Sequence, residues 1–178
     1  DAAEHALRVL SAQTLNIALI GLPGCGKTTT GRALSLLTRR TCIDLDEEIV
    51  RAAGCTIPEY FARNGEDGFR ALETRVLREF SQKSGQILAT GGGVVTRPEN
   101  LPLLRQNSRI VYLRRDTLHL PVDGRPVSQA RGVAALARER TPLYEAWADT
   151  VIDAASPEDA AVRSSTCMSP ASWTGLCS

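Results

Sequence analysis

The chain has 178 residues, of which 43% are hydrophobic and 23% are charged, so it is long enough for one compact domain with a sizeable core. Its formal net charge of +1 excludes a strong overall field for nucleic acid, and no apolar run approaches the ~20 residues of a membrane helix. Five scattered cysteines without C-x-x-C spacing favour a reducing compartment over a disulfide framework or a zinc site. We therefore expect a cytoplasmic protein that binds neither nucleic acid nor a membrane.

Short apolar runs alternate with helical patterns in the first half of the chain. In chain order these are a weak helix within 1–14, a strand over 15–20, a helix over 27–38, a strand over 42–44 and a helix over 47–53. A capping box at Thr56 then starts a helix that ends at Gly65, and an amphipathic helix follows over 67–82. The run over 15–20 is short, mostly apolar and stops at Gly21, which is typical of a strand buried in a parallel sheet.

The alternation continues in the second half. In chain order it comprises a strand over 86–90, a helix over 96–105 that a second capping box opens at Thr96, a strand over 109–113, a helix over 133–147 and a strand over 151–152. Ser156 caps a terminal helix, and the composition of residues 164–178 predicts a poorly ordered tail without function. Strands that alternate with helices predict an α/β fold with a mostly parallel sheet covered on both faces.

A phosphate-binding sequence follows the first strand. Residues 21–28 have the sequence GLPGCGKT, which fits the pattern G-x-x-x-x-G-K-[ST] between a strand and a helix. The glycines let successive backbone N–H groups point inward, and the helix N-terminus adds partial positive charge. Lys27 suits the terminal phosphates and the Thr28 hydroxyl suits Mg²⁺, so we expect a nucleoside triphosphate here. Cys25 is either a thiol made reactive by the helix terminus or a small inert filler.

Two carboxylates end the second strand. Asp44 and Asp46 alternate along an extended segment, so we expect both on the same side, at the carboxyl edge of the sheet. The phosphate loop alone fits a kinase, a hydrolytic switch or a mechanical ATPase. One acid near Mg²⁺ and another near an acceptor hydroxyl would suit phosphoryl transfer by a kinase. The alternative is that Asp46 only caps the helix that begins at Glu47.

Further patterns suit a binding site for a small anionic substrate. They are Arg70 with Glu73 three residues later on the amphipathic helix, the glycines 91–93 after a strand, Arg125 in a polar segment and Arg140 at a helix bend. Each also has a purely structural interpretation: a surface ion pair, a tight turn and two surface arginines.

Taken together and in this order, these motifs resemble the shikimate kinase family, a small group of nucleoside monophosphate kinase-like P-loop enzymes. The resemblance runs from about residue 16 to residue 161 and depends on GLPGCGKTT, DLD, FRxxE, GGG, RP and RxPLY. It implies a three-layer P-loop kinase fold with about five strands, a substrate-binding segment over about 44–82 and a lid over about 114–131. It also implies that the protein uses MgATP to phosphorylate the 3-hydroxyl of shikimate, with ATP and shikimate as its small-molecule partners.

The resemblance implies a role for each motif. Lys27 would contact the transferring phosphate, Asp46 would deprotonate the acceptor hydroxyl, and Arg125 would close over the phosphates. The metal ligands would be Thr28 and Asp44. The nucleotide would be bound by Gly24, Cys25, Gly26, Lys27, Thr28, Thr29, Arg125 and Pro157. Shikimate would be bound by Asp46, Arg70, Gly91, Gly92, Gly93 and Arg140, with Glu73 positioning Arg70.

Two alternatives share parts of this pattern. Another small-molecule P-loop kinase, for gluconate or a nucleoside monophosphate, would share the phosphate loop, and a non-catalytic nucleotide-binding paralogue would share the fold. Arg114 and Arg115 lie too early in the chain for the arginine expected to stack on adenine. We expect one kinase domain over 15–163 that is monomeric, and interpret residues 1–14 as the remnant of a linker within a longer multifunctional polypeptide.

Overall fold

One parallel sheet organises the computed structural model, which describes residue 3 and residues 14–115, 127–153 and 156–167. Its strands are β1 (Asn16–Ile20), β2 (Cys42–Asp44), β3 (Ile87–Ala89), β4 (Ser108–Arg114) and β5 (Thr150–Asp153). Their order across the sheet is β2-β3-β1-β4-β5, and every neighbouring pair is parallel. The predicted parallel α/β fold is therefore confirmed.

The register of the central strands brings three chain segments to one edge of the sheet. Ala89 of β3 is paired with Leu19 of β1 on one side and with Asp44 of β2 on the other. All residues of β1 and β3 are buried, which explains why their sequences are apolar apart from Asn16, whose side chain is hydrogen-bonded to the backbone. The segments that follow β1, β2 and β3 therefore begin side by side at the carboxyl edge, where parallel sheets bind their ligands.

Helices surround the sheet. They are α1 (Lys27–Thr38), α2 (Leu45–Ala53), α3 (Ile57–Ser81), α4 (Asn100–Arg105), α5 (Val127–Trp147) and α6 (Pro157–Cys167), with a 3₁₀ turn at Val94–Thr96. α1 packs against α6, whereas α3 packs against α2 and α4. Within the residues that the structure describes, no helix is both long and apolar enough to span a membrane.

The start and the break of α3 agree with the sequence. Glu59 Oε2 accepts a hydrogen bond from the Thr56 backbone N–H at 2.8 Å, and Thr56 Oγ1 accepts one from the Glu59 N–H at 3.4 Å. This confirms the first capping box. Gly65 has a left-handed φ of 68° inside the assigned span, so α3 is two helical segments joined at the residue where the sequence predicts an end.

The second predicted capping box is wrong. The Thr96 hydroxyl donates to the Gly93 carbonyl oxygen at 2.7 Å, within the 3₁₀ turn, instead of capping an α-helix. α4 begins only at Asn100 and has no side-chain cap. Val94 and Val95 are buried in the core, and their burial fixes the path of this segment in place of the local capping signal.

Two further boundaries differ from the prediction. α5 begins at Val127 rather than at residue 133, and α6 continues to Cys167, so the predicted tail is wrong for residues 164–167. Ser164 is fully buried, and its hydroxyl donates to the Ala160 carbonyl oxygen at 2.7 Å, which keeps this polar residue inside the helix. The rest of the predicted tail, most of the predicted N-terminal helix and most of the lid lie outside the described residues.

Candidate functional site

A cleft of about 510 Å³ opens at the carboxyl edge of the sheet. The loop before α1, the start of α2, the second segment of α3 and the glycines after β3 form its walls. Most of the site residues predicted from the sequence line this one cleft: Gly24, Gly26, Lys27, Thr28, Thr29, Asp44, Asp46, Arg70, Glu73, Gly91, Gly92, Gly93 and Arg140.

The phosphate loop has the backbone conformation that its glycines predict. Gly24 and Gly26 have left-handed φ values of 81° and 92°, which other residues rarely adopt. Gly26 occupies the N-cap of α1, and no side chain caps this helix. The N–H groups of the first turn of α1 therefore suit an anion, as the sequence pattern predicts.

The ammonium group of Lys27 is held by the loop itself. Lys27 is buried, and its Nζ donates to the carbonyl oxygens of Gly21 and Leu22, both at 2.9 Å. A buried charge needs such partners, because its hydration is lost. A phosphate in the loop would compete with these carbonyls for the same ammonium group.

Asp44, and not Asp46, is the cap of α2. Asp44 Oδ1 accepts hydrogen bonds from the N–H groups of Asp46 (2.9 Å) and Glu47 (3.4 Å). The helix begins at Leu45, two residues earlier than predicted, so the interpretation of Asp46 as a helix cap is wrong. The predicted extended alternation is wrong as well, since Asp46 lies in the first turn of α2, yet both carboxylates line the cleft.

Thr28 and Asp44 form a pair of oxygen ligands. The Thr28 hydroxyl donates to Asp44 Oδ2 at 2.6 Å, and both residues line the cleft beside the phosphate loop. Mg²⁺ prefers oxygen ligands and is usually bound by one or two protein groups together with phosphates and water. A cluster of three or more acidic, histidine or cysteine ligands is absent from the described part of the chain, and such a site does not need one. The two residues therefore fit a magnesium ion that binds with a nucleotide.

Two carboxylates lie against the backbone of Gly91. A Cβ atom there would lie 2.7 Å from Glu73 Oε1 and 2.9 Å from Asp46 Oδ1. Asp46 is open to the cleft, but the cleft walls still remove hydration; this burial, followed by the charge of Asp44, raises its pKa. Burial also raises the pKa of Glu73, although its hydrogen bond to Arg70 opposes the shift. The Asp46 carboxylate is therefore a better proton acceptor than a free aspartate.

Two guanidinium groups are buried in the cleft wall. Arg70 NH1 lies 2.7 Å from Glu73 Oε2, with the two side chains only 12% and 3% exposed, so the interpretation as a surface ion pair is wrong. Arg140 is 9% exposed, and its NH1 donates to the Gly92 carbonyl oxygen at 3.1 Å, so it is not a surface arginine either.

The same two arginines each keep one buried donor without a hydrogen bond, although Glu66 Oε1 lies 3.7 Å from Arg70 Nε. The Nε–H groups of Arg70 and Arg140 are buried and have no hydrogen-bond partner among the residues that the structure describes. An unsatisfied buried donor costs about 1–3 kcal/mol, and more when it is charged. Since both side chains line the cleft, the arrangement favours an anionic ligand between them.

The glycines after β3 are required by close contacts. A Cβ atom on Gly93 would lie 2.0 Å from Arg70 NH1, and one on Gly92 would lie 2.7 Å from the Pro23 ring. None of the three glycines 91–93 has the left-handed φ that would make glycine necessary for a turn alone. The Gly91 carbonyl oxygen accepts a hydrogen bond from the Val94 N–H at 3.2 Å, so the predicted tight turn is present. The glycines serve more than this turn, because the missing side chains leave room for Arg70 and Pro23.

Two predicted nucleotide-binding residues lie beside the cleft rather than in it. Cys25 and Pro157 line a smaller, separate pocket together with Arg115. This pocket adjoins the phosphate loop, since a Cβ atom on Gly26 would lie 3.5 Å from Pro157 Cγ and 3.8 Å from Arg115 NH1. The sequence places Arg115 too early for a nucleotide contact, but the fold brings it next to the loop. Arg125 lies outside the described residues.

One part of the cleft is apolar, and the sequence patterns do not predict it. Ile57, at the start of α3, and Phe69, after its break, line the cleft together with the charged groups. An apolar wall with a few convergent polar groups is typical of sites for small organic molecules. Phe69 is the first residue of FRxxE, but its apolar spacing predicts only a core position.

Comparison with known proteins gives one consistent result. The model of the family described as shikimate kinase matches residues 23–168. The chain is 41% identical over 151 residues to a shikimate kinase of Burkholderia lata, covering 80% of this chain and 82% of that protein. It is 42% identical over 154 residues to a shikimate kinase of Synechococcus sp. (strain CC9902), covering 80% of each. The solved shikimate kinase of Acinetobacter baumannii in complex with shikimate aligns with a TM-score of 0.82 at 32% identity, covering 96% of this chain and 99% of that one.

Proposed function

Because this chain belongs to the shikimate kinase family, whose enzymes use ATP to phosphorylate shikimate, we propose that its cleft holds both substrates of that reaction. The observation that carries this proposal is the pair Arg70 and Arg140, whose buried Nε–H groups lack hydrogen-bond acceptors and whose side chains share one cleft with the phosphate loop. Shikimate has one planar carboxylate, and guanidinium groups bind such a group through parallel hydrogen bonds. Ile57 and Phe69 would contact its carbon ring.

The phosphate loop and the start of α1 would bind the triphosphate. Its glycines, with the N–H groups of Thr28 and Thr29, suit the phosphate oxygens, and the buried ammonium of Lys27 would neutralise charge on the transferring group. Thr28 and Asp44 would hold Mg²⁺, which when bound offsets phosphate charge.

Asp46 would be the catalytic base. As the 3-hydroxyl oxygen of shikimate forms its bond to the γ-phosphorus, the bond from that phosphorus to the ADP oxygen breaks, and the hydroxyl proton passes to the Asp46 carboxylate. The raised pKa of Asp46 supports this role, because it makes the carboxylate more basic. Glu73 would keep Arg70 in place through their 2.7 Å contact.

We propose that the base of the nucleotide lies against the outer wall of the smaller pocket, whose volume of about 10 Å³ cannot itself hold a base. Pro157 and Arg115 line that pocket beside Gly26, and Cys25 forms another part of its wall. Closure of Arg125 over the phosphates stays a prediction from the sequence. We also retain the proposals of a monomer and of a cytoplasmic location; the free thiols of Cys25, Cys42 and Cys55 fit a reducing compartment.

Turnover tests the proposed function directly. We expect ADP release from MgATP, followed by a coupled assay, to rise strongly when shikimate is added and to stay at the background rate with gluconate or a nucleoside monophosphate. Chelation of magnesium should return the rate to background. ADP release no faster with shikimate than without it would contradict the proposal.

Gly93→Ala should weaken shikimate binding without unfolding the protein. The new Cβ atom would overlap the Arg70 guanidinium, so this flexible side chain would be displaced from its position in the cleft wall. We expect the KM for shikimate to rise about tenfold, which corresponds to ~1.4 kcal/mol, with the KM for ATP unchanged. Gly132→Ala is the matched control, because open space surrounds Gly132 on α5. An unchanged KM for shikimate in Gly93→Ala would contradict the proposed place of Arg70.

A further inference from the structure

The carbonyl oxygen of Gly92 accepts two side-chain hydrogen bonds. One comes from Arg140 NH1 at 3.1 Å, and the other comes from the hydroxyl of Tyr144. The two donors are four residues apart on α5 and therefore lie on the same face of the helix. The carbonyl oxygen of Gly92 thus links Arg140, which lines the cleft, to Tyr144, which does not.

Tyr144 is held rigidly. Its side chain is fully buried, and its ring stacks on Tyr112 of β4 with 5.1 Å between the ring centroids and 25° between the planes. Burial raises the pKa of the Tyr144 hydroxyl, so the group stays protonated and remains a donor at ordinary pH. The donor position is therefore fixed by the core rather than by the cleft.

The other side of Gly92 meets the phosphate loop. Its backbone lies so close to Pro23 that a Cβ atom would be 2.7 Å from the proline ring. Gly92 is thus enclosed between the phosphate loop on one side and the two donors of α5 on the other. A small shift of this carbonyl would move the wall of the cleft and one partner of Arg140 together.

We propose that Tyr144 is a positioning residue for shikimate, which acts by fixing the Gly92 carbonyl and, through this shared acceptor, the guanidinium of Arg140. The inference rests on the proposed function, in which Arg140 binds the shikimate carboxylate. Tyr144 does not line the cleft, so it acts through Gly92 and Arg140 rather than on the substrate. Removal of its hydroxyl would leave Arg140 as the remaining side-chain donor to this carbonyl.

Tyr144→Phe isolates the hydrogen bond, because the phenyl ring keeps the packing and the stack on Tyr112. Tyr112→Phe is the matched control: it also removes a buried phenol hydroxyl, but that hydroxyl bonds to Thr141 and not to Gly92. Both variants would be compared with the unmodified chain by shikimate binding calorimetry without nucleotide, by the KM values for shikimate and ATP, and by thermal melting. All kinetic work is done well below the lowest melting midpoint.

We expect Tyr144→Phe to raise both the Kd and the KM for shikimate by about threefold to tenfold, the effect of one hydrogen bond, with the KM for ATP within about twofold. Tyr112→Phe should leave all three values unchanged even if it lowers the melting temperature equally. In an Arg140→Ala background, Tyr144→Phe should have a smaller effect, since the two residues share one acceptor.

Two results would overturn the inference. Shikimate affinity unchanged in Tyr144→Phe, or lowered equally in Tyr112→Phe, would show that the hydroxyl contributes only to folding. If the unmodified chain neither bound nor phosphorylated shikimate, the proposed function itself would fail, and this outcome is separate from the first because it needs no variant.

Discussion

Asp46→Asn is expected to lower kcat for shikimate phosphorylation by about 10²- to 10⁴-fold, the contribution of a positioned general base. The amide keeps the size of the side chain and its place in the first turn of α2, but it cannot accept the hydroxyl proton. The Asp44 carboxylate, which bonds to Thr28 and caps the helix, stays intact. ATP affinity should therefore change little, and the loss should appear in kcat.

Glu47→Gln is the control for this substitution. Glu47 is the next residue of the same helix turn, is exposed, and forms an ion pair with Arg32 at 3.1 Å outside the cleft. Glu47→Gln removes one negative charge from the same region, as Asp46→Asn does. Loss of the exposed ion pair with Arg32 should cost little stability. Full turnover in Asp46→Asn, or an equal loss in Glu47→Gln, would rule out Asp46 as the base.

Arg140→Lys is expected to raise the KM for shikimate by roughly 10- to 150-fold, which corresponds to about 1.5–3 kcal/mol for hydrogen bonds to a charged group. Lysine keeps the positive charge but loses the planar fork that matches a carboxylate, and it also loses the geometry of the bond to Gly92. Arg70→Lys should behave similarly, with part of its effect passing through Glu73. Steady-state kinetics with shikimate and ATP varied separately would measure both.

Two comparisons show whether the carboxylate is the group that Arg140 binds. Arg138→Lys changes an exposed arginine of the same helix and should leave the KM for shikimate unchanged. The carboxamide analogue of shikimate should bind weakly to the unmodified enzyme, and its affinity should fall little further in Arg140→Lys. A loss as large for the analogue as for shikimate would mean that Arg140 acts elsewhere on the substrate.

The sequence predicts the sheet well because its central strands, β1 and β3, are fully buried. Apolar runs such as 16–20 are typical of central parallel strands, and the register then brings the phosphate loop, Asp44 and the glycines to one edge. Local signals fail where tertiary burial competes with them. The capping box predicted at Thr96 does not form, because Val94 and Val95 are buried in the core. The polar residues 164–167, predicted to be disordered, continue α6 instead, and Ser164 is buried there.

The site is predicted best where its residues are contiguous. The phosphate loop is formed by one contiguous segment, so its sequence alone predicts its conformation. Asp46, in contrast, lines the cleft from the first turn of α2 and not from the predicted extended strand. Tyr144 and Phe69 were missed because buried aromatic residues have the same spacing whether they serve the core or a site. Arg115 was set aside because it lies early in the chain, and only the fold shows that the residue after β4 lies beside Gly26.

The uncompensated groups of the cleft also bear on protein engineering. Buried donors without partners and a carboxyl group whose pKa is raised by burial work against the folded chain. Selection for heat resistance alone would thus favour replacing Arg140, or Arg70 and Glu73 together, with apolar side chains, since removal of Glu73 alone would leave the buried Arg70 without its ion-pair partner. Such variants would be more stable but inactive. Evolution toward a thermostable catalyst would have to screen for turnover at every round, because durability and catalysis make opposite demands on these positions.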